Sequence, residues 1–207
     1  MRPRRVQRLR PSQPSSDAAA ASVSLVPSLL HPVTFIGLPA YQKFARQLHQ
    51  RAPGTVGSPI VAGGLGQLAE AICTSDAVLL TGHGYSPTSW GDDSPWPYGD
   101  AAWYIGARNW GFGTTLPALA AALHAAGGIT AQLLILDACE SGSTAVVDTF
   151  RNLMTRPDHV LIVAADGYID WTAGERAIHN LVDLANTGIP AIEAARALPN
   201  SAPYCVA

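Results

Sequence analysis

The chain contains 207 residues, of which 48% are apolar and only 14% are charged. This length suffices for one domain with a large hydrophobic core, and the composition excludes collagen-like, low-complexity and highly charged disordered classes. The formal net charge is −2, but five of the thirteen basic residues lie in the first ten positions, so the rest of the chain is acidic.

The N-terminal segment 1–24 is rich in Arg, Ser and Ala, and we expect a disordered tail there. No aromatic residue interleaves its arginines, so a nucleic-acid partner is not expected, and it lacks the continuous apolar stretch of a secretory signal. No later apolar run reaches membrane-spanning length, which argues against a membrane partner. The scattered cysteines Cys73, Cys139 and Cys205 suit a reducing compartment, so we expect a cytoplasmic protein.

Apolar runs and helical repeats alternate along residues 25–200, which predicts a single domain followed by a C-terminal tail at 201–207. Strands are predicted at 31–37, 55–62 (weak, because it contains a proline), 76–84, 133–136 and 159–165. Helices are predicted at 41–50, 65–73, 116–126, 143–154, 173–185 and 190–198. Continuous aliphatic strands separated by helices indicate an α/β fold, with a mainly parallel sheet flanked by helices on both faces in three layers (α/β/α).

The connection 85–113 is long and rich in Gly, Pro and aromatic residues, and we predict an irregular but ordered loop. Long ordered connections in compact domains are usually functional. Four of the five tryptophans lie in this connection. A hydrophobic cluster that ties down the loop and a substrate groove explain these aromatic residues about equally well.

Two of the predicted strands end in residues that carry chemistry. The stretch AVLLT leads into Gly82-His83-Gly84, and LLIL leads into Asp137-Ala138-Cys139. In open α/β sheets, functional groups collect beyond the carboxyl ends of the strands. If the two strands are neighbours, an imidazole and a thiol face each other, which is the pair required for nucleophilic catalysis by cysteine.

The residues around this pair suit the same chemistry. Glycine at position 84 lets the backbone N–H approach a substrate carbonyl, so Gly84 and Cys139 are candidate donors of an oxyanion hole. The helix predicted from Ser143 follows the cysteine closely, and its N-terminus is expected to favour the thiolate. Asp137 and Glu140 oppose thiolate formation if they lie close, so we expect their side chains to point elsewhere.

The motifs TGHG and DACESG, in that order and each at a strand exit, resemble those of caspase-like cysteine peptidases, in particular the metacaspase and CHAT-type branches. The likeness is strong at residues 77–84 and 133–142 and looser over residues 31–186. Fifty-six residues separate His83 from Cys139, against roughly 50 in caspases. The resemblance implies a caspase-like fold and an endopeptidase acting on a protein or peptide substrate.

Carried over by position, the resemblance makes Cys139 the nucleophile, His83 the general base and acid, and Gly84 an oxyanion donor. In metacaspases the acid two residues before the cysteine lines a pocket for a basic P1 side chain, the residue before the cleaved bond, and Asp137 occupies that position. Asp92 or Asp93 on the loop after His83 is the candidate for a second carboxylate. No Lys or Arg occurs between residues 51 and 108, so an acidic rim that attracts basic substrates is expected.

The sequence also departs from the family. It has no acidic activation-cleavage linker and no evident calcium-binding acid cluster, so we expect neither a metal nor any other cofactor, and an activating protein partner stays open. CHAT-type relatives often serve in bacterial defence and signalling, and a composition with a single lysine is typical of GC-rich bacteria. Two alternatives remain: a catalytically inactive caspase-like scaffold, and an α/β nucleotide-binding protein in which Gly-His-Gly is only a tight turn.

Overall fold

The computed structural model describes residues 29–89, 95–107, 112–200 and 204–206. The strands are β1 (Leu30–Phe35), β2 (Ile60–Ala62), β3 (Ala77–Thr81), β4 (Gly84–Tyr85), β5 (Tyr104–Ala107), β6 (Phe112–Thr115), β7 (Leu133–Asp137), β8 (Leu161–Ala165) and β9 (Tyr204–Val206). The α-helices are α1 (Pro39–Arg51), α2 (Leu65–Thr74), α3 (Leu116–Ala125), α4 (Thr144–Asn152), α5 (Trp171–Asn186) and α6 (Ala191–Ala195). Two 3-10 turns span Pro157–His159 and Leu198–Asn200.

The main sheet has six strands in the order β2-β1-β3-β7-β8-β9. All neighbouring pairs in it are parallel except β8 and β9. Strands β3 and β7 are direct neighbours, and Thr81 at the end of one lies opposite Asp137 at the end of the other. Their carboxyl ends therefore open at the same place on the sheet edge.

Helices cover both faces of this sheet, which confirms the predicted three-layer α/β fold. Every residue of β3, β7 and β8 is buried, because a parallel sheet between two helical layers exposes neither face. One core cluster packs α2, α3 and α4 on the sheet through side chains such as Ile72, Leu119 and Phe150. The second cluster packs α1, α5 and α6 on the opposite face, through side chains such as Phe44 and Ile178.

The connection 85–113 was predicted as an irregular loop, and this prediction is wrong for part of it. Strands β4, β5 and β6 form a second, antiparallel sheet of three short strands. Gly106 faces Gly113 across β5 and β6, and both have positive φ, where a Cβ on either would overlap the opposing chain. Because both positions are glycine, these strands lack the alternation of apolar and polar side chains that predicts a strand from sequence.

The predicted C-terminal tail at 201–207 also needs correction. Strand β9 adds to the edge of the main sheet by antiparallel pairing with β8, and its Tyr204 side chain is buried. A three-residue strand is too short to show a periodic pattern. The predicted N-terminal tail at 1–24 lies outside the described residues. Among the helices that the structure describes, none combines the length and apolarity needed to cross a membrane.

Candidate active site

His83 and Cys139 lie on one cavity at the shared ends of β3 and β7. The Gly82 N–H donates to the Asp137 carbonyl over 3.2 Å, which keeps the two chains together just beyond their last paired residues. The cavity measures about 290 Å³, and its walls include His83, Cys139, Asp137 and Trp171. We call it the thiol cavity. The neighbouring strands thus bring together the imidazole and the thiol that the sequence singled out.

Gly84 packs directly on the backbone of Cys139. A Cβ at this position would overlap the Cys139 carbonyl oxygen and lie 2.8 Å from the Cys139 nitrogen, so only glycine fits. The Gly106 N–H donates to the His83 carbonyl over 2.9 Å, which makes Gly84 and Ile105 a non-hydrogen-bonded pair. The Gly84 N–H therefore points away from β5.

The turn that carries the cysteine is held from several sides. The buried Trp103 indole N–H donates to the Cys139 carbonyl over 3.0 Å. Glu140 adopts φ 60°, a left-handed conformation that is uncommon for a residue with a side chain, and its N–H donates to the Gly167 carbonyl over 2.7 Å. Strained residues of this kind persist where the surrounding structure fixes them, often beside reactive groups.

Ser141 fastens this turn to the next strand. Its buried hydroxyl donates to the Leu136 carbonyl over 2.7 Å and accepts from the Ala165 N–H over 2.9 Å. The Gly142 N–H also donates to the Ala165 carbonyl, over 2.8 Å. The segment after β7 is therefore hydrogen-bonded to the end of β8, and this accounts for a serine at 141 and a glycine at 142.

The surroundings of the Cys139 thiol favour its neutral form. Burial raises the pKa of this thiol, and the carboxylates of Glu140 and Asp137 raise it further, although a backbone bond from Ile169 lowers it. The Ile169 N–H lies 3.5 Å from the sulfur. The expectation of a favoured thiolate is not met in the net shift of this pKa, which is upward. Helix α4 begins only at Thr144, and the helix dipole acts mainly within the first turn.

The two acids beside the cysteine bond to hydroxyl groups. The Glu140 carboxylate accepts from Ser89 over 3.0 Å, and the Asp137 carboxylate accepts from Thr81 over 2.9 Å and from Tyr204 over 2.6 Å. Both carboxylates still raise the pKa of the Cys139 thiol. We expected both carboxylates to point away from the thiol, and this is met only in that each accepts hydrogen bonds from hydroxyl groups.

The imidazole of His83 is held by a residue that sequence reasoning missed. The Tyr41 hydroxyl lies 3.2 Å from His83 Nδ1, and the two rings meet edge to face. Partial desolvation lowers the pKa of His83, so the ring is neutral at neutral pH. Burial raises the pKa of Tyr41 far above its usual range, so its hydroxyl keeps its proton. The one sequence signal that could have identified Tyr41 was its position in the first turn of the helix that follows β1.

Asp137 lies on the wall of the thiol cavity and is only 7% exposed. Burial raises the pKa of this carboxyl, while the bonds from Tyr204 and Thr81 act in the opposite direction. Gly174 leaves space beside it, because a Cβ there would come within 3.3 Å of Asp137 Oδ1. Tyr204 was missed as a partner because its strand was taken for a tail.

A second carboxylate on the thiol cavity belongs to Asp170. It caps α5, accepting from the Ala173 N–H over 3.1 Å, and it is exposed. The predicted candidates for this role, Asp92 and Asp93, lie outside the described residues. Within the described part of the chain, no three His, Cys, Asp or Glu side chains gather as they would around a metal ion.

The described aromatic residues of 85–113 divide between core and surface packing. Trp103 is fully buried within the main core, beneath the cysteine turn. Tyr98 stacks on Tyr104 with ring centres 4.3 Å apart, and Trp96 meets Tyr98 edge to face. These contacts favour the cluster that ties down the connection. Trp90 and Trp110 lie outside the described residues.

Neither a protein-family model nor a curated protein sequence matches this chain. The likeness to caspase-like peptidases therefore depends on the motifs at 77–84 and 133–142, and membership of that family stays a prediction.

Proposed function

We propose that this protein is a caspase-like cysteine endopeptidase that uses Cys139 as nucleophile and His83 as general base and acid. The observation that carries the proposal is the common cavity of the two side chains at adjacent strand ends, with Gly84 packed on the cysteine backbone. A sheet edge that joins an imidazole and a partly buried thiol in one cleft has the parts needed for acyl transfer.

The proposed reaction starts from a neutral thiol and a neutral imidazole. His83 takes the thiol proton as Cys139 Sγ attacks the scissile carbonyl carbon, and the resulting oxyanion accepts from the backbone N–H groups of Gly84 and Cys139. The C–N bond then breaks, and His83 protonates the leaving amine, which leaves a thioester on Cys139. Water attacks the thioester and gives its proton to His83, and this proton returns to the sulfur as the carboxylic acid departs.

A basic residue at P1 suits the charges of the thiol cavity. Asp137 and Asp170 both line it, and no Lys or Arg lies among its described walls. A cationic side chain that enters gains the attraction of both carboxylates, and its charge offsets the unfavourable burial of Asp137. Gly174 lines the same cavity, and because it has no side chain it does not cover that carboxylate.

A catalytically inactive binding module is the second candidate, and one observation favours it. The raised pKa of Cys139 makes the thiol a weak nucleophile in the state described. The same observation suits an enzyme that an activating protein partner switches on, as in a bacterial defence or signalling system.

The test is a panel of fluorogenic peptides ending in Arg, Lys, Asp or Leu, assayed with wild type, Cys139→Ala and His83→Ala, with and without calcium and candidate partner proteins. Cys205→Ala and His124→Ala are matched controls, because Cys205 is also partly exposed and His124 lies on the exposed surface of α3. We expect Arg and Lys peptides to be cleaved, with activity lost in the first two variants and kept in the controls. Cleavage that survives Cys139→Ala, or silence of the wild type under every condition, would refute the proposal.

A further inference from the structure

A second cavity, larger than the thiol cavity, opens on His83. It measures about 640 Å³ and is lined mainly by apolar groups, including Ile36, Leu38, Pro39, Ala40 and Ala107. We call it the apolar cavity. It shares Ala40, Tyr41 and His83 with the thiol cavity, but Cys139 does not line it. The imidazole therefore stands between the two.

The direction of the proposed reaction decides which part of a substrate meets this cavity. The acyl side of the cleaved bond becomes attached to Cys139, whereas the leaving amine must lie against His83 to receive its proton. The residue that carries this amine, the P1′ residue, is thus placed on the His83 side. The apolar cavity is the space beyond that imidazole.

We propose that the apolar cavity binds a large apolar P1′ side chain, such as Leu, Met or Phe. The inference rests on the proposed function for the orientation of the substrate. Apart from His83, no ionisable group other than tyrosine lines the cavity among the described residues, so a charged P1′ side chain would lose water without gaining a partner. Ile36 is 45% exposed on the rim, which leaves apolar surface for a substrate to cover. A volume of this size accommodates such a side chain with room for its backbone.

Cleavage of internally quenched peptides tests the proposal. The peptides share Arg at P1 and differ only in P1′, which is Leu, Phe, Gly or Asp. We expect kcat/KM for Leu and Phe to exceed that for Gly by about tenfold, with Asp lowest, since burial of a few methylene groups gives discrimination of this order. Equal rates for Leu and Gly would overturn the inference.

A pair of variants ties the preference to this cavity. Ile36→Asp introduces a charge on the rim, and we expect it to reduce the ratio of Leu to Gly rates to near one. Ile189→Asp is the matched control, because Ile189 is 40% exposed in the connection between α5 and α6 and does not line the cavity, and the ratio is expected to stay at about tenfold. A ratio that Ile36→Asp leaves unchanged would overturn the assignment, as would an equal fall of the ratio in Ile189→Asp.

A binding measurement separates this inference from the proposed function. Cys139→Ala is titrated with the same peptides by fluorescence anisotropy. We expect the Leu peptide to bind more tightly than the Gly peptide, and we expect this difference to be lost when Ile36→Asp is added. That result supports P1′ binding in the apolar cavity even if the wild type cleaves nothing. Absence of any P1′ dependence in binding and in cleavage overturns it, whether or not the peptidase activity is found.

Discussion

The Tyr41 hydroxyl lies 3.2 Å from His83 Nδ1, so helix α1 holds the imidazole that faces the thiol cavity. For His83 Nε2 to accept the thiol proton, the neutral ring must carry its own proton on Nδ1, which then donates to the Tyr41 oxygen. The proposed role of His83 thus requires the Nδ1-protonated tautomer. In the proposed mechanism Tyr41 is therefore a positioning residue, the part that a carboxylate plays beside the histidine of other nucleophilic sites.

Tyr41→Phe removes this bond and keeps the ring that packs on Trp171. We expect kcat on an Arg peptide to fall by about tenfold while KM changes little, because the imidazole loses its orientation and the substrate contacts remain. Steady-state kinetics measure both constants, and thermal unfolding checks that the fold survives. A rise in KM with kcat unchanged would mean that Tyr41 binds substrate and does not position His83.

Gly84→Ala tests the close approach of the two strand ends. The added methyl group would overlap the Cys139 carbonyl, so we expect a loss of about 1–3 kcal/mol in the free energy of unfolding together with loss of activity. Gly66→Ala in α2 is the control, because nothing lies within 4 Å of the added group there. Helix propensity predicts that this control is as stable as the wild type or more stable. A Gly84→Ala protein as stable and active as the wild type would show that the strand ends are further apart.

Ser141→Ala tests the link between the exits of β7 and β8. Because the buried hydroxyl serves the Leu136 carbonyl and the Ala165 N–H, its removal leaves two buried backbone groups without a partner. We expect a cost of about 1–3 kcal/mol in urea unfolding. Ser143→Ala is the matched control, since Ser143 is exposed and its side chain makes no capping bond to α4, and it is expected to cost less than about 0.5 kcal/mol. Equal costs for the two variants would contradict the account.

Asp137→Asn tests the burial of the carboxyl through the pH dependence of stability. The folded-state pKa of Asp137 lies above its unfolded value of 3.8, so folding favours the protonated form. The contribution of this carboxyl to the free energy of unfolding is fully present below pH 3.8, and it is lost as the pH rises through the folded-state pKa. Asparagine does not titrate, so the stability of the variant relative to the wild type should increase as the pH rises through that range. Unfolding titrations at several pH values measure this difference, and a constant difference would contradict the raised pKa.

The fold and the central pair of the site were accessible from sequence because they depend on local signals. Aliphatic strands flanked by helices specify a buried parallel sheet, and the residues at its strand ends share one edge. His83 and Cys139 followed from this rule together with the glycines around them. The adjacency of β3 and β7 does not follow from the sequence alone, and the structure shows the two strands as neighbours.

The residues that bond to the site were not accessible from sequence, and two of them come from distant and weakly patterned segments. Tyr204 reaches Asp137 from a three-residue strand, and Trp103 reaches the Cys139 carbonyl from a segment in which glycines hide the strands. Tyr41 fills an ordinary apolar position of a helix. Its hydroxyl matters only because β1 and β3 are adjacent, which brings α1 to His83.

The central claim is that His83 activates Cys139, and covalent capture tests it most directly. An Arg-terminated peptidyl acyloxymethyl ketone is added, and mass spectrometry measures the rate of modification at Cys139, with Cys73 and Cys205 as controls within the same protein. The neutral imidazole is the base, and its pKa lies below 6.5. The wild-type rate of modification should therefore decrease as the pH is lowered below 6.5, and it should be constant between pH 7 and 8. In His83→Ala the rate should be lower by about a hundredfold and rise with pH throughout, because the unassisted thiol has a pKa above 9.0.

The account therefore predicts selective modification of Cys139 that depends on His83 and is unaffected by His124→Ala. Equal modification of all three cysteines, or a rate and pH profile that His83→Ala leaves unchanged, would contradict it.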